Sequence, residues 1–138
     1  MFATLFFGVL DPASGQMAYI NAGHDPLFML RPGGGIAAQL HATGPAVGLD
    51  ADSTFAVRQV RLEPGAVLFS YTDGIPEATS DAGAFFGRAR LAALLEKPSA
   101  SAAALVVAIA EAVSGHTGAS EQYDDITMLA IRREKDTG

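Results

Sequence analysis

Two acidic clusters stand where apolar runs stop: Tyr71-Thr72-Asp73-Gly74 and Tyr123-Asp124-Asp125-Ile126-Thr127. Val67-Leu68-Phe69-Ser70 leads into the first, and the run from Ile126 to Ile131 leaves the second. A carboxylate at the tip of a strand is an oxygen donor held at a fixed point. Two such strands converging in one sheet could hold a hard divalent cation, because Mg²⁺ and Mn²⁺ take oxygen ligands and keep several waters. The plainer alternative is that both are turns, since Asp-Gly and Asp-Asp commonly end strands. Spacing alone leaves both readings open and favours the turn.

Other residue types that could do chemistry carry less. His24, in Asn21-Ala22-Gly23-His24-Asp25-Pro26, is the natural general-base candidate, and a loop histidine that hydrogen-bonds backbone is the reading we favour. His41 and His116 fall in polar loop segments. Glu77 follows Asp73 closely and either orients it or faces solvent. The Gly33-Gly34-Gly35 run is a turn and not a phosphate loop, because no Lys and helix follow it. No Gly-x-Ser-x-Gly elbow is present. With no cysteine, thiol nucleophiles, zinc-thiolate sites and disulfides are excluded.

The elements that must position the acids are mostly strands. Thr4 to Leu10 and Gln16 to Ile20 flank the turn Asp11 to Gly15; Leu27 to Leu30 and Ile36 to Leu40 flank the glycine turn. Phe55 to Leu62 and Ala66 to Tyr71 flank Glu63-Pro64-Gly65. Hairpin following hairpin predicts antiparallel sheets. Beyond Asp73 the period changes to helical. Arg88 to Leu95 carries Leu91, Leu94 and Leu95, and Ser101 to Val113 carries Leu105, Val106, Ile109 and Val113, with Ser101 as cap and Gly115 as terminator. The alanine-rich flank of the second helix could pack closely on a sheet. Between Asp73 and the first helix, Ser80 to Phe86 reads as a flap anchored by Phe85 and Phe86. The final strand, Ile126 to Ile131, is apolar almost throughout, which predicts burial on both faces.

The composition fits one domain. A chain of 138 residues buries about two-thirds of its unfolded surface, and 49% hydrophobic with 17% charged residues supports a real core. A net charge of −6 argues against nucleic acid. Arg132-Arg133 reads as a solvated strand end. Apolar stretches such as Ala102 to Ala110 are too short to span a bilayer, and the N-terminus lacks the basic lead of a signal peptide. Together with the absence of cysteine, this predicts a cytoplasmic location and no membrane contact. Residues 1–133 form one domain and 134–138 a frayed tail.

In order, the strings TLFFGVLDPASGQMAYINAGHDP, GPAVGL, LEPGAVLFSYTDGIPEAT, FFGRARL and QYDDITMLAIR resemble the SpoIIE-like serine phosphatases, a branch of the metal-dependent PPM (type 2C) family. The resemblance covers Phe2 to Arg132. It implies a two-metal hydrolase using Mn²⁺ or Mg²⁺, in which water attacks phosphoserine or phosphothreonine with no covalent enzyme intermediate. It assigns Asp73 and Asp124 as metal ligands, with Asp125 serving an outer metal or the surrounding shell, and Thr127 serving the nearby backbone. The family also carries an upstream GGDFYD-like strand and a GHG-like loop, and neither string occurs here. The chain therefore matches the C-terminal two-thirds of that domain, and we expect it to bind metal weakly and be inactive alone.

The implied architecture is α+β: an α/β/β/α sandwich of antiparallel sheets with outer helices, lacking its N-terminal part. One sheet face or edge should be bare, which predicts a homodimer or strand exchange. The implied partner is a phosphoprotein, an anti-sigma-factor antagonist in a partner-switching circuit. A non-catalytic phosphatase-like module that binds a signalling protein is the alternative.

Overall fold

A computed structural model describes residues 1–119 and 125–135. Seven strands and two helices run in the order β1 (Leu5–Leu10), β2 (Gln16–Ala22), β3 (Leu27–Leu30), β4 (Ile36–Leu40), β5 (Arg58–Arg61), β6 (Val67–Tyr71), α1 (Arg88–Leu95), α2 (Ala102–Thr117) and β7 (Met128–Arg132). They build two antiparallel sheets, β1-β2-β5 and β4-β3-β6-β7. The sheets face each other across Met17, Tyr19, Leu27, Leu40, Leu62 and Leu68. A second core lies between the four-stranded sheet and the helices, where Phe28, Phe69 and Tyr71 meet Leu91, Leu95, Leu105, Ile109 and Val113. Each of these large side chains stabilises the fold by about 1.5–3 kcal/mol on burial.

The helices cover only one sheet. Leu5, Phe7 and Val9 alternate along β1 and are 46%, 58% and 61% exposed, so the β1 side of the outer face of the three-stranded sheet is apolar and exposed, while Gln59 and Arg61 make its β5 side polar. The layering is thus α/β/β, with the expected uncovered face on the second sheet.

Several local expectations need correction. β7 is an edge strand, and Leu129 is 56% exposed; the strand buried on both faces is β6. β7 also starts two residues later than expected, at Met128: Asp125 O and Thr127 N bond the Thr72 hydroxyl, and only Thr127 O takes a backbone bond, from Thr72 N. β5 begins at Arg58 rather than Phe55, where pairing with Tyr19 of β2 starts. α2 does not stop at Gly115. It runs to Thr117 and ends at Gly118, so His116 belongs to its last turn and not to a loop. Its buried stripe is Leu105, Ile109 and Val113, while most of the alanine flank faces outward. Of the flap pair, only Phe86 is an anchor, since Phe85 is 64% exposed. Arg133 is no solvated end: its guanidinium donates to the carbonyls of Ala13, Ser14 and Leu62.

Candidate metal and phosphoryl site

Antiparallel pairing decides where the acids lie. Tyr71 at the end of β6 opposes Met128 at the start of β7, so the residues after Tyr71 and those before Met128 meet at one end of the sheet. Thr72 fastens that junction. Its amide donates to Thr127 O (3.1 Å), its hydroxyl donates to Asp125 O (3.2 Å), and the same hydroxyl accepts from Thr127 N (3.0 Å). The contact is close enough to require glycine next. A Cβ on Gly74 would stand 2.2 Å from Asp125 O. The structure thus brings Asp73 and Asp125 to the same corner, and Thr127 serves it through its backbone. Asp124 lies outside the described residues.

Asp73 is half-exposed and not alone. The loop that closes β2 delivers Asp25 beside it. Asn21, fully buried, shapes that loop: its Nδ2 donates to Leu40 O (3.0 Å) and its Oδ1 accepts from His24 N (2.8 Å). His24 Nδ1 bonds Asp25 O at 2.7 Å, the backbone role expected of it. The Asp73 carboxyl lies within hydrogen-bonding contact of the Asp25 carboxyl. That hydrogen bond, followed by burial and the charges of Asp25 and Glu77, pushes the Asp73 carboxyl up to about 6, while the same bond, helped by Arg88, holds Asp25 below the usual carboxylate range. Glu77 is exposed; its charge raises the Asp73 carboxyl and its amide donates to Asp73 O at 3.0 Å.

Arg88 completes the cluster. Its NH2 lies 3.4 Å from Asp25 and 3.8 Å from Asp73, and its NH1 donates to the Tyr71 hydroxyl at 3.2 Å. The Tyr71 ring is fixed between Phe28 and Phe69, and burial raises its phenol pKa. Thr4, His24, Asp25, Tyr71 and Asp73 line a polar cavity of about 230 Å³ in this corner.

Sequence reasoning missed Asp25, Arg88 and Thr72 as members of the site. Thr72 had a signal, a hydroxyl directly before the strand-tip acid. Asp25 and Arg88 lie in the NAGHDP and FFGRARL strings, but at 48 and 15 residues from Asp73 nothing local joined them to it.

The donor set is all oxygen and carboxylate-rich, which fits a hard divalent cation. The fit is partial: among the described residues no three His, Asp or Glu side chains are grouped to hold an ion.

The family model "Stage II sporulation protein E (SpoIIE)" matches residues 1–134. The chain belongs to the SpoIIE family. Protein IcfG of Synechocystis sp. is 45% identical over 133 residues, 96% of this chain and 21% of that protein. Phosphoserine phosphatase RsbU of Bacillus subtilis is 27% identical over 97% of this chain and 40% of its own length. The phosphatase domain of SpoIIE from Bacillus subtilis, solved after a Mn presoak, superposes with a TM-score of 0.72 at 18% identity, covering 99% of this chain and 58% of that one. The chain therefore has the SpoIIE phosphatase fold and spans less than half the length of these curated relatives.

Proposed function

We propose that the protein to which this chain contributes hydrolyses phosphoserine or phosphothreonine on a regulatory protein, with Mn²⁺ or Mg²⁺ held by Asp73, Asp124 and Asp125. The observation that carries this reading is the Thr72-fastened corner in a chain of a phosphatase family, where Thr72 and Gly74, on either side of Asp73, meet the backbone of Asp125. A divalent cation, when bound, supplies Lewis acidity and an activated water. Asp73 is the first ligand because β6 fixes it and the cavity leaves it open to solvent. RsbU is named a phosphoserine phosphatase; the substrate we propose for this protein is a phosphorylated signalling protein, an anti-sigma-factor antagonist, in the cytoplasm. Among the described residues no helix is long and apolar enough to cross a membrane.

Alone, this chain is proposed to bind metal weakly and to turn over little, since its described acids do not close a cage. The same observation favours the second reading, a non-catalytic module that binds a partner protein. The bare face of Leu5, Phe7 and Val9 supports self-association. The test is Mn²⁺-dependent release of phosphate from a phosphoserine protein by the longer protein and its Asp73→Asn variant. Release that Asp73→Asn abolishes is the expected result. Absence of release by both leaves the binding module.

A further inference from the structure

We propose that Arg88 is the phosphoryl-binding residue of this site: its guanidinium, parked between Asp25 and Asp73 on the Tyr71 hydroxyl, is placed to receive the dianionic oxygens of a phosphate monoester. The inference rests on the phosphatase reading and adds the residue that would recognise the substrate.

A site lined by Asp25 and Asp73, with Glu77 close by, repels a dianion, so a phosphoryl group needs a compensating cation within reach. Arg88 is that cation. Its side chain is 60% exposed, so the guanidinium is open to solvent rather than sealed into the core. Its distances to the two carboxylates, 3.4 and 3.8 Å, are well beyond the ~2.7–2.9 Å of a committed charge-assisted hydrogen bond. The guanidinium donates to Asp25 at the long end of hydrogen-bond range and meets Asp73 as an ion pair, both of which an anion could displace. Its five N–H donors in a planar fork match two oxygens of a phosphate, a geometry that lysine lacks.

The backbone supports this placement. Gly87 caps α1 with φ +85°, a conformation side chains rarely adopt, and its amide donates to Pro76 O at 2.8 Å. The neighbouring Phe86 amide donates to Ala78 O at 2.7 Å, and the Phe86 ring is buried. Both acceptors lie on the turn that continues directly from Asp73. The start of α1, with its positive dipole end, is thus bolted to the same turn as the proposed metal ligand. Contrast Arg133, whose guanidinium is spent on three carbonyls.

The probe is inorganic phosphate, titrated into this chain at saturating Mn²⁺ and followed by ³¹P line width and calorimetry. Arg88→Ala should weaken phosphate binding by about tenfold or more, and Arg88→Lys by a smaller factor, because a point charge keeps attraction but loses the fork. Mn²⁺ affinity should stay the same or rise in both, since Arg88 is a cation and not a ligand. Asp25→Asn should tighten phosphate by freeing the guanidinium. Unchanged phosphate binding in Arg88→Ala, or no phosphate binding by the parent chain, overturns the proposal. So does a parallel loss of Mn²⁺ and phosphate with a lowered melting temperature in both Arg88 variants, which marks a structural role. In the longer protein, Mn²⁺-dependent hydrolysis with KM unchanged by Arg88→Lys sinks this proposal and spares the phosphatase reading. Arg88-dependent phosphate binding without any hydrolysis does the reverse.

Discussion

At one end of the β6–β7 pair, the Arg133 guanidinium donates to the carbonyls of Ala13, Ser14 and Leu62, joining the first hairpin turn to the segment after β5. At the other end, the Asp25 and Asp73 carboxyls interact with each other and with one exposed arginine. Both ends use a guanidinium, but the partners differ. Backbone carbonyls cannot leave or change charge, so Arg133 is committed to structure. Carboxylates can lose a proton or take a cation, so the Arg88 end can be reorganised by what binds there. Charge that is spent on backbone holds a fold together; charge that is shared among titrating groups remains available.

Substitutions at the two ends should separate those roles. Arg133→Ala leaves three carbonyls without their charged donor and should cost about 3 kcal/mol in urea unfolding, with little effect on Mn²⁺ binding. A loss below about 0.5 kcal/mol would place the clamp among ordinary surface contacts. Gly74→Ala forces its Cβ toward Asp125 O, 2.2 Å away, and should cost about 2 kcal/mol while also weakening Mn²⁺. Mn²⁺ calorimetry on a folded Gly74→Ala protein checks the second half. Thr72→Val keeps the shape but removes the hydroxyl that joins Asp125 and Thr127, for a loss of about 1 kcal/mol by chemical unfolding.

Asp73→Asn should have the smallest effect on stability and the largest on metal. Near neutral pH it relieves repulsion between carboxylates, so stability should stay level or rise slightly while Mn²⁺ binding is lost. The pH dependence follows from the raised carboxyl. Between its ordinary 3.8 and about 6 the folded chain holds a proton that the unfolded chain has released. Metal-free stability from this group is therefore full below 3.8 and declines as pH rises through about 6. Asp25, shifted the other way, contributes stability above 3.8 that is lost on acidification. Thermal melts across this range should show the decline in the parent chain and a flatter profile in Asp73→Asn.

Much of this frame was legible in the sequence because its signals are local. The hairpin turns gave β1 to β4 and β6 nearly to the residue, and leucine spacing gave the start and end of α1. Of the corner, Asp73 at the tip of β6 was legible, and antiparallel pairing places the Asp125 backbone beside it, while Asp124 lies outside the described residues. What failed was set by neighbours far along the chain. An apolar β7 looks doubly buried, but only the sheet order shows it at an edge. Gly115 looks like a stop, yet the last turn is held by His116, which bonds Arg90 and Ala84 O and meets the Phe86 ring edge-on. The acid that raises the Asp73 carboxyl is Asp25, which the Asn21 loop brings in from 48 residues away.

β6 has a further consequence, in time rather than in space. Flanked by β3 and β7 and buried along most of its length, it should exchange its amide hydrogens only when the whole domain opens. Asp73 rides on the tip of that slow strand, whereas the exposed Arg88 side chain can change rotamer in picoseconds to nanoseconds. The corner therefore pairs a carboxylate carried on a slowly opening backbone with an exposed arginine side chain. An incoming anion would meet a moving partner over a still floor, and the exchange of Arg88 from acid to anion would require no motion of the sheet.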